Sequence, residues 1–484
     1  MAYPDRDPWH GGGFCVDALD LARWQFGITT VYHFLFVPLT IGLSFLVAGF
    51  QTVWVRTGNP AYLRLTRFYG ELFLINFALG IVTGIVQEFQ FGMNWSTYSR
   101  FVGDIFGAPL AIEGLLAFFL ESTFLGLWIF GWDRLPKRLH LATIWIAAIG
   151  TVLSAYFILA ANAWMQNPVG YTFNAAAGRA ELTDFMAVLT NQLAVITFLH
   201  TIVAAMLTAG AFVAAIALWR IARRPGPDDQ TFRSAARIGA ATVLIAGLLV
   251  FVTGDQQARV MTSVQPMKMA AAEALYETSQ PASFSLFTIG TLDGSKELFS
   301  IRVPNVLSFL ATGDFNGKVE GINDLQAGYQ QLYGPGDYRP IIPVTYWTFR
   351  LMIGAGALAA LAAAWILWLL RRGRTVRPNR WIVGVALALP LLPLAANSLG
   401  WIFTELGRQP WIVFGLMNTS AGVSPGTSSL EVAITLLTFT LLYGGLAVVE
   451  VGLLLRRIRA GLPPEPGPAG ATGDDAERPA AFAY

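Results

Sequence analysis

Hydrophobic residues occur in nine long runs along the chain, separated by polar connections. A helix needs about 20 mostly apolar residues to cross the hydrocarbon core of a bilayer. Nine stretches meet that length, near residues 27–53, 69–91, 107–131, 141–163, 190–219, 236–253, 344–370, 381–403 and 431–455. The pattern predicts an all-α integral membrane protein with about nine transmembrane helices. An odd number of crossings places the two termini on opposite sides of the membrane.

Basic residues cluster in every second connection between the runs. Most of the 32 Lys and Arg residues lie in these clusters, which are Arg56/Arg64/Arg67, Arg134/Lys137/Arg138, Arg220/Arg223/Arg224/Arg233/Arg237, Arg371/Arg372/Arg374/Arg377/Arg380 and Arg456/Arg457/Arg459. Short cytoplasmic loops carry an excess of Lys and Arg. We therefore expect these connections and the C-terminus to be cytoplasmic, and the N-terminus and the 254–343 and 404–430 loops to be extracytoplasmic.

Composition supports the membrane assignment. The chain is 55% hydrophobic and 13% charged, whereas soluble chains carry about 25% charged residues. The net charge of +2 and the short basic clusters argue against nucleic acid as a partner.

A single cysteine, Cys15, excludes an internal disulfide or an iron–sulfur site. The first twenty residues lack the apolar core of a cleavable signal peptide.

The connections suggest a division of the chain into segments. The 254–343 loop is far longer than an ordinary connection, and such loops are usually functional or disordered. The C-terminal tail is rich in Pro, Gly and Ala, which predicts disorder. The expected segments are an N-terminal extension at 1–20, membrane helices one to six at 21–253, the outer loop at 254–343, membrane helices seven to nine at 344–457, and a disordered cytoplasmic tail at 458–484.

Ionisable residues inside the apolar runs are the first candidates for chemistry, because each costs roughly 2.5–3.5 kcal/mol to insert. Of the four histidines, His10 lies in the extension and His140 lies beside the basic Arg138. His33 and His200 lie inside apolar runs. A lone histidine in a membrane helix can equally be a structural hydrogen-bonding residue.

His200 and Met352 lie at similar depths in the membrane, which makes them candidates for a shared ligand. His200 and Met352 each lie about eight to ten positions inside a run, or roughly 12–15 Å from the same boundary at 1.5 Å per residue. Two ligands at matched depth on different helices are what a six-coordinate, low-spin haem requires, and His/Met is an established pair. A membrane methionine is more commonly packing material. Glu113 and Glu405 lie in the same outer half, and Glu121 lies deeper in the third run.

Four motifs resemble one known family. They are RWQFGITTVYHFLFVPLTIG, LFLINFALGIVTGIVQEFQFGMNWS, VGDIFGAPLAIEGLLAFFLESTF and ELGRQPW. In this order they are similar to subunit I of cytochrome bd quinol oxidase, and the resemblance extends from about Leu21 to Arg457. It implies a terminal oxidase in which helix bundles hold haems. Quinol would be oxidised at the extracytoplasmic face, and O2 would be reduced to water with protons from the cytoplasm. These two reactions would generate proton motive force without pumping.

The resemblance implies three haems in this chain. His200 and Met352 match the axial ligands of a low-spin haem b, with Arg350 beside them for a propionate. His33 matches the axial ligand of one high-spin haem, and Glu405 matches the carboxylate ligand of the other. The high-spin site would hold one haem b and one haem d, and the residues do not decide which haem belongs to which ligand.

Further roles follow from the same resemblance. Glu113 matches a ligand or proton donor at the oxygen-reducing haem. Glu121 and Ser122 match the upper part of a proton path from the cytoplasm. Trp401 matches an aromatic residue between the low-spin and high-spin haems, although belt tryptophans are common at span ends. Arg408 could neutralise Glu405 or a propionate.

The stretch VQPMKMAAAEALYE matches the family's quinol-oxidising segment, with Lys268 and Glu273 at the quinol positions. The loop is of the short type, and its length does not identify the quinol as menaquinol or ubiquinol. The family implies a heterodimer with a multispan subunit II, small single-span accessory subunits, and a location in the bacterial cytoplasmic membrane. The N-terminal extension has no assigned role.

Other functions account for fewer of these features. A haem–copper oxidase needs several intramembrane histidines, and a quinol–cytochrome c type cytochrome b needs paired ones, so the two found here exclude both classes. A proton-coupled transporter would explain Glu113 and Glu121 but not the matched depth of His200 and Met352. A bd-type enzyme loaded with haem b alone remains open, and a pigment spectrum would distinguish it.

Overall fold

The computed structural model describes residues 17–371 and 379–465. Within these ranges, nine helices are long and apolar enough to cross a membrane, which confirms the predicted all-α membrane fold. We call them the first to ninth spans. In order they are Ala18–Thr57, Pro60–Met93, Ser96–Phe130, Lys137–Gln166, Phe185–Arg223, Asp229–Val264, Ile342–Leu370, Arg380–Leu406 and Ser429–Ala460.

Three spans are built from shorter pieces. The pieces are Ser96–Ile112, the π-helical turn Glu113–Phe118 and Phe119–Phe130 in the third span, Phe185–Leu189 and Gln192–Arg223 in the fifth, and Arg380–Ala388 and Leu391–Leu406 in the eighth. The eighth span breaks at Pro390, which has no N–H to donate. The π-helical turn begins at Glu113, and such turns occur frequently at functional sites.

Short elements occupy the connections that follow even-numbered spans, so they all lie at one end of the bundle. The sixth span continues to Val264, eleven residues beyond its predicted apolar run, and a long loop then covers residues 265–341. That loop contains the helices Pro266–Ala272, Val306–Thr312 and Ile322–Tyr333. The connections after the fourth, sixth and eighth spans each contain one antiparallel hairpin. The hairpins are β1 Tyr171–Asn174 with β2 Arg179–Leu182, β3 Phe284–Gly290 with β4 Glu297–Val303, and β5 Trp411–Val413 with β6 Met417–Asn418. A 3₁₀ turn at Thr419–Ala421 follows the third hairpin.

The core of the bundle depends on glycines that let backbones approach closely. A Cβ atom on Gly42 of the first span would lie 2.3 Å from the Ala205 carbonyl oxygen of the fifth. A Cβ atom on Gly239 of the sixth span would lie 2.6 Å from the Gly210 carbonyl oxygen of the fifth. Membrane helices associate through such close packing, because burial from lipid gives no hydrophobic gain. The fifth span is therefore held tightly between two neighbours.

At the opposite end of the bundle, the residues after the ninth span pack against the start of the second. The Arg64 guanidinium pairs with Asp228 at 2.8 Å, and its Nε donates to the Pro463 carbonyl at 2.6 Å. Leu462 is buried beside them. Residues 458–465, which the sequence assigns to the tail, thus end the ninth helix and contact the bundle.

Several predictions concern parts of the chain beyond the described ranges. Residues 466–484 of the expected tail lie outside them. So do residues 1–16 of the expected extension, including His10 and Cys15.

His140 lies in a buried hydrogen-bond network. Its position in the sequence beside the basic Arg138 suggests a surface location instead. The Trp128 indole donates to Gln51 Oε1 at 2.7 Å, so the Gln51 amide nitrogen faces His140 Nδ1 at 2.8 Å. His140 Nε2 then donates to the Trp128 carbonyl at 2.8 Å. With all these groups satisfied, His140 is a neutral residue that ties the first, third and fourth spans together.

Gly239→Ala tests the close packing of the fifth and sixth spans. The added methyl group forces two backbones apart, and overpacking of this kind typically costs about 1–3 kcal/mol. We expect a lower thermal midpoint for the purified protein in detergent. Gly444→Ala is the matched control, because a Cβ atom there meets nothing within 4 Å. Equal midpoints for the two variants would contradict the packing argument.

Candidate functional site

His33 of the first span is oriented by Thr83 of the second. The two side chains meet at 2.9 Å between Nδ1 and Oγ1. The Thr83 hydroxyl already lies within donating distance of the Leu79 and Gly80 carbonyls, at 3.1 and 3.0 Å. Since a hydroxyl has one proton to donate, Thr83 accepts from His33 Nδ1–H. The opposite ring nitrogen, Nε2, therefore carries a free lone pair.

His200 of the fifth span has the same arrangement with the sixth. Its Nδ1 lies 3.0 Å from Thr253 Oγ1, and the Thr253 hydroxyl lies 2.9 Å from the Leu249 carbonyl. The same reasoning assigns the proton to His200 Nδ1 and leaves Nε2 free. Metal-ligating histidines characteristically donate their second ring N–H in this way, which fixes both the tautomer and the orientation of the ring.

Glycines lie against the candidate ligands. A Cβ atom on Gly84 would lie 3.2 Å from His33 Cε1, and one on Gly254 would lie 3.5 Å from His200 Cε1. A Cβ atom on Gly400 of the eighth span would lie 3.0 Å from Met352 Sδ of the seventh. At these three positions the glycines leave space beside the histidine rings and the thioether that a β-carbon would fill. This is the kind of space that a flat macrocycle needs.

Arg350 and Glu273 form a buried ion pair between the seventh span and the long loop. Arg350 Nη2 lies 2.7 Å from Glu273 Oε2, and the Ser285 amide donates to the same oxygen at 3.1 Å. Burial raises the pKa of Glu273, and the Arg350 charge opposes that shift. Within the described residues, Arg350 Nε and Nη1 are buried without a hydrogen-bond partner. Unused guanidinium donors fit a haem propionate.

Lys268 begins a chain of hydrogen bonds that ends at Glu405. The Lys268 ammonium donates to Gln166 Oε1 at 2.9 Å, and the Gln166 amide donates to Asn162 Oδ1 at 2.8 Å. The Asn162 amide donates to Glu405 Oε1 at 3.0 Å. Arg408 pairs with the second carboxylate oxygen of Glu405. Every bond in the chain points from the cation to the anion, so the dipoles reinforce one another.

The Lys268 side chain is buried, and its second hydrogen bond goes to the Thr404 carbonyl at 3.0 Å. Burial lowers the pKa of Lys268 to about 7, although the nearby Glu405 carboxylate opposes the shift. A lysine with such a pKa can change its charge near neutral pH, whereas an exposed lysine stays protonated there.

A small cavity beside Lys268 is lined by aromatic side chains from two connections. Tyr338 of the long loop stacks on Trp411 of the segment after the eighth span, with ring centroids 5.4 Å apart. Within the described residues, Trp411 Nε1 and Gln265 Oε1 are buried without a hydrogen-bond partner. The cavity has room for about one water molecule, with one donor and one acceptor beside an aromatic wall.

The carboxylates of the third span have different surroundings. Glu113, at the start of the π-helical turn, accepts from the Ser154 hydroxyl at 2.6 Å. Glu121 is buried two turns further along and packs against Gly150 of the fourth span. Ser122 is exposed and donates to the Phe119 carbonyl at 3.4 Å.

Trp401 lies beside the first span. Its ring makes an edge-to-face contact with Phe34, the residue after His33, at a centroid distance of 5.0 Å. This contact brings the eighth span next to the candidate histidine.

The structure therefore connects five of the predicted site residues into two groups. Arg350 joins Glu273, and Lys268 is linked to Glu405 and Arg408. Glu113 and Ser122 form hydrogen bonds with Ser154 and Phe119, which are not predicted as part of the site.

Sequence reasoning missed the partners that connect or orient these groups. They are Thr83, Thr253, Ser154, Asn162 and Gln166. The only signal in the sequence was the presence of two amides four residues apart at the end of an apolar run, because this spacing places Asn162 and Gln166 on one helix face.

Comparisons with known proteins identify the family of this chain. Residues 21–462 match the family described as cytochrome bd terminal oxidase subunit I. The chain is 47% identical over 444 residues to cytochrome bd ubiquinol oxidase subunit 1 of Bacillus subtilis (strain 168), covering 92% of this chain and 94% of that protein. It is 37% identical over 502 residues to cytochrome bd-II ubiquinol oxidase subunit 1 of Escherichia coli (strain K12), covering 92% and 97%.

The fold has a close match as well. The structure of bd oxidase from Geobacillus thermodenitrificans superposes with a TM-score of 0.82 at 29% identity, covering 92% of this chain and 99% of that chain. The sequence and the fold lead to one conclusion. The chain is an integral membrane protein that belongs to the cytochrome bd terminal oxidase subunit I family.

Proposed function

We propose that the chain is the haem-bearing subunit of a terminal quinol oxidase, which oxidises menaquinol or ubiquinol and reduces O2 to water. The observation that carries the proposal is the pair of intramembrane histidines, His33 and His200, whose Nδ1 atoms are held by threonines while Nε2 stays free. In a chain of this family, that arrangement suits axial ligation of haem iron.

The donor set fits three haems. His200 and Met352 would hold a low-spin haem b, and the unused donors of Arg350 would face a propionate. His33 and Glu405 would each serve one of two high-spin haems, a haem b and a haem d. When bound, the haems supply one-electron transfer and an iron that takes O2. The contact between Trp401 and the residue after His33 supports a place for this indole between the low-spin and high-spin haems.

Quinol would bind at the long loop beside Lys268 and Glu273. The cavity next to Lys268 has an aromatic wall and two unpaired polar atoms that could hydrogen-bond the quinol oxygens. It has room for about one water molecule, so its side chains would have to move apart to admit the ring. The Lys268 ammonium would orient a quinol oxygen, and Glu273 would accept a proton that quinol releases. The raised pKa of Glu273 makes its carboxylate a better proton acceptor.

Protons for O2 reduction would arrive along the third span. Glu121 and Ser122 would form the upper part of a path from the cytoplasm, and Glu113 would be the last carboxylate before the reaction site, acting as proton donor or haem ligand. The Ser154 hydroxyl donates to Glu113 and would hold this carboxylate in place.

We further propose that the oxidase is electrogenic without a pump, because quinol protons leave outside while substrate protons enter from the cytoplasm. Each charge moved through the membrane field is worth about 2.3 kcal/mol per 100 mV. The N-terminus and the long loop would lie on the extracytoplasmic side of the bacterial cytoplasmic membrane and the C-terminus in the cytoplasm, because the basic clusters lie in the connections at the other end of the bundle. The assembled enzyme would be a heterodimer with a multispan subunit II, together with small single-span accessory subunits.

Met352→Leu tests the low-spin ligand pair. Leucine fills similar space but has no lone pair for iron, so we expect the low-spin haem to become high-spin or to fall in reduction potential. Redox titration followed by absorption spectroscopy measures both properties. Met206→Leu, another methionine packed in the bundle, is the matched control. A Met352→Leu enzyme with the same spectrum and potential as the control would rule out Met352 as a ligand.

Glu121→Gln tests the proton path. Glutamine preserves the shape of the buried side chain but cannot carry a proton at this position. We expect slower O2 consumption at unchanged haem content, measured with an oxygen electrode and by haem extraction. Normal turnover in this variant would show that protons take another route.

Lys268→Ala tests the quinol site. Loss of the ammonium should impair oxidation of quinol while leaving turnover with an artificial donor to the haems largely intact. Gln166→Leu should give a smaller loss, because Lys268 keeps its hydrogen bond to the Thr404 carbonyl. Lys318→Ala, an exposed lysine in the same loop, is the control. Equal losses of Lys268→Ala with both donors would argue against a quinol role.

A further inference from the structure

The β3–β4 hairpin of the long loop has two faces of different polarity. Paired residues of the two strands point to the same side of the hairpin, and the register pairs Phe287 with Ile301 and Ile289 with Phe299. These four side chains form one face, which we call the apolar face. All four are exposed, by 37% to 54%.

The opposite face of the hairpin is polar and turned towards the protein. Thr288 pairs with Ser300 on this face, and Ser285 pairs with Arg302. Thr288 and Ser285 are buried and hydrogen-bonded to each other at 2.7 Å. In a water-exposed sheet, apolar side chains point inward and polar ones outward. The hairpin has the reverse arrangement, which is typical of strands whose outer face meets lipid.

Contacts with the seventh span fix the level of the hairpin. Phe287 of the apolar face packs edge-to-face against Trp347 at 5.3 Å, five residues after the span begins at Ile342. Leu351 and Leu358 follow Trp347 along one side of that helix, and both are exposed apolar residues. The apolar face therefore continues the lipid-facing stripe of the seventh span at the height where interfacial aromatic residues occur.

The charged residues of the hairpin are compatible with an interfacial position. Glu297 and Arg302 pair with each other at 2.7 Å. The turn carries Asp293 and Lys296, with Leu292 beside them almost completely exposed, at 95%. A lysine at this position can place its apolar stem against lipid and its ammonium among head groups.

We propose that the β3–β4 hairpin lies on the membrane, with its apolar face in the boundary between head groups and acyl chains of the leaflet on the long-loop side. A two-stranded hairpin has unpaired backbone edges, which cannot be satisfied in the hydrocarbon core. The hairpin therefore rests at the interface and does not enter the core.

Membrane contact at this position bears on the candidate quinol site, a consequence that rests on the proposed function. The Ser285 amide at the base of β3 donates to Glu273. A lipid-anchored hairpin would thus hold this carboxylate next to the membrane phase from which a lipid-soluble quinol arrives.

Lipid contact can be measured without any assay of oxidase activity. Cys15 is the only cysteine of the chain, so Cys15→Ser provides a background for single cysteines. They are placed at two exposed apolar positions of the hairpin, Leu298 beside Phe299 in β4 and Leu292 in the turn. The matched control is Lys318→Cys, an exposed position elsewhere in the long loop. Each variant of the assembled complex is labelled with an environment-sensitive fluorophore and placed in nanodiscs, with and without phospholipid carrying a shallow nitroxide. The labelled Cys15→Ser complex gives the background to subtract.

We expect blue-shifted emission and strong nitroxide quenching at both hairpin positions, and weak quenching at the control position. Iodide in the water should quench in the reverse order. Strong iodide quenching with little nitroxide quenching at Leu298→Cys and Leu292→Cys would place the hairpin in water and overturn the proposal. Protection from both quenchers would also overturn it, because a partner subunit would then cover the face. Two independent positions guard against a variant that fails to assemble, which gel filtration of each complex detects.

Discussion

A hydrogen bond from a histidine to a threonine on the next helix is the interaction on which the proposed chemistry depends. Thr83 and Thr253 each donate to a carbonyl of their own helix, so they accept from His33 and His200. This polarity fixes the tautomer of each ring and leaves Nε2 free. Without the threonines, either nitrogen could carry the proton, and neither ring would be oriented to bind iron.

The second constraint is that charges buried at the long-loop end must be paired. Arg350 and Glu273 form one direct pair, and Lys268 reaches Glu405 through two amides. Each pair has one member in the loop and one in a span. A change of charge at the proposed quinol site in the loop would therefore alter the electrostatic potential at the proposed haem site in the bundle. The reversed polarity of the β3–β4 hairpin extends that connection to the membrane surface.

The sequence predicted the nine spans, because long apolar runs have few alternatives in water. It also singled out His33 and His200 as histidines inside apolar runs, and His200 and Met352 through their matched depth. It did not predict that His140 is buried or that Asn162 and Gln166 bridge two charged residues, since the partners in these contacts lie on other helices. The extension of the sixth helix to Val264 was missed for a related reason: its last turns are polar and pack against the long loop. Pairwise contacts between spans depend on the bundle geometry, which hydropathy alone does not encode.

A high-resolution cryo-electron microscopy structure of the assembled oxidase in lipid would show directly which side chains bind each haem iron. The proposed ligand pair requires one iron bound by both His200 Nε2 and Met352 Sδ, with the hydrogen bond from His200 Nδ1 to Thr253 preserved. His200 and Met352 bound to different irons, or a His200 ring that coordinates through Nδ1, would contradict it.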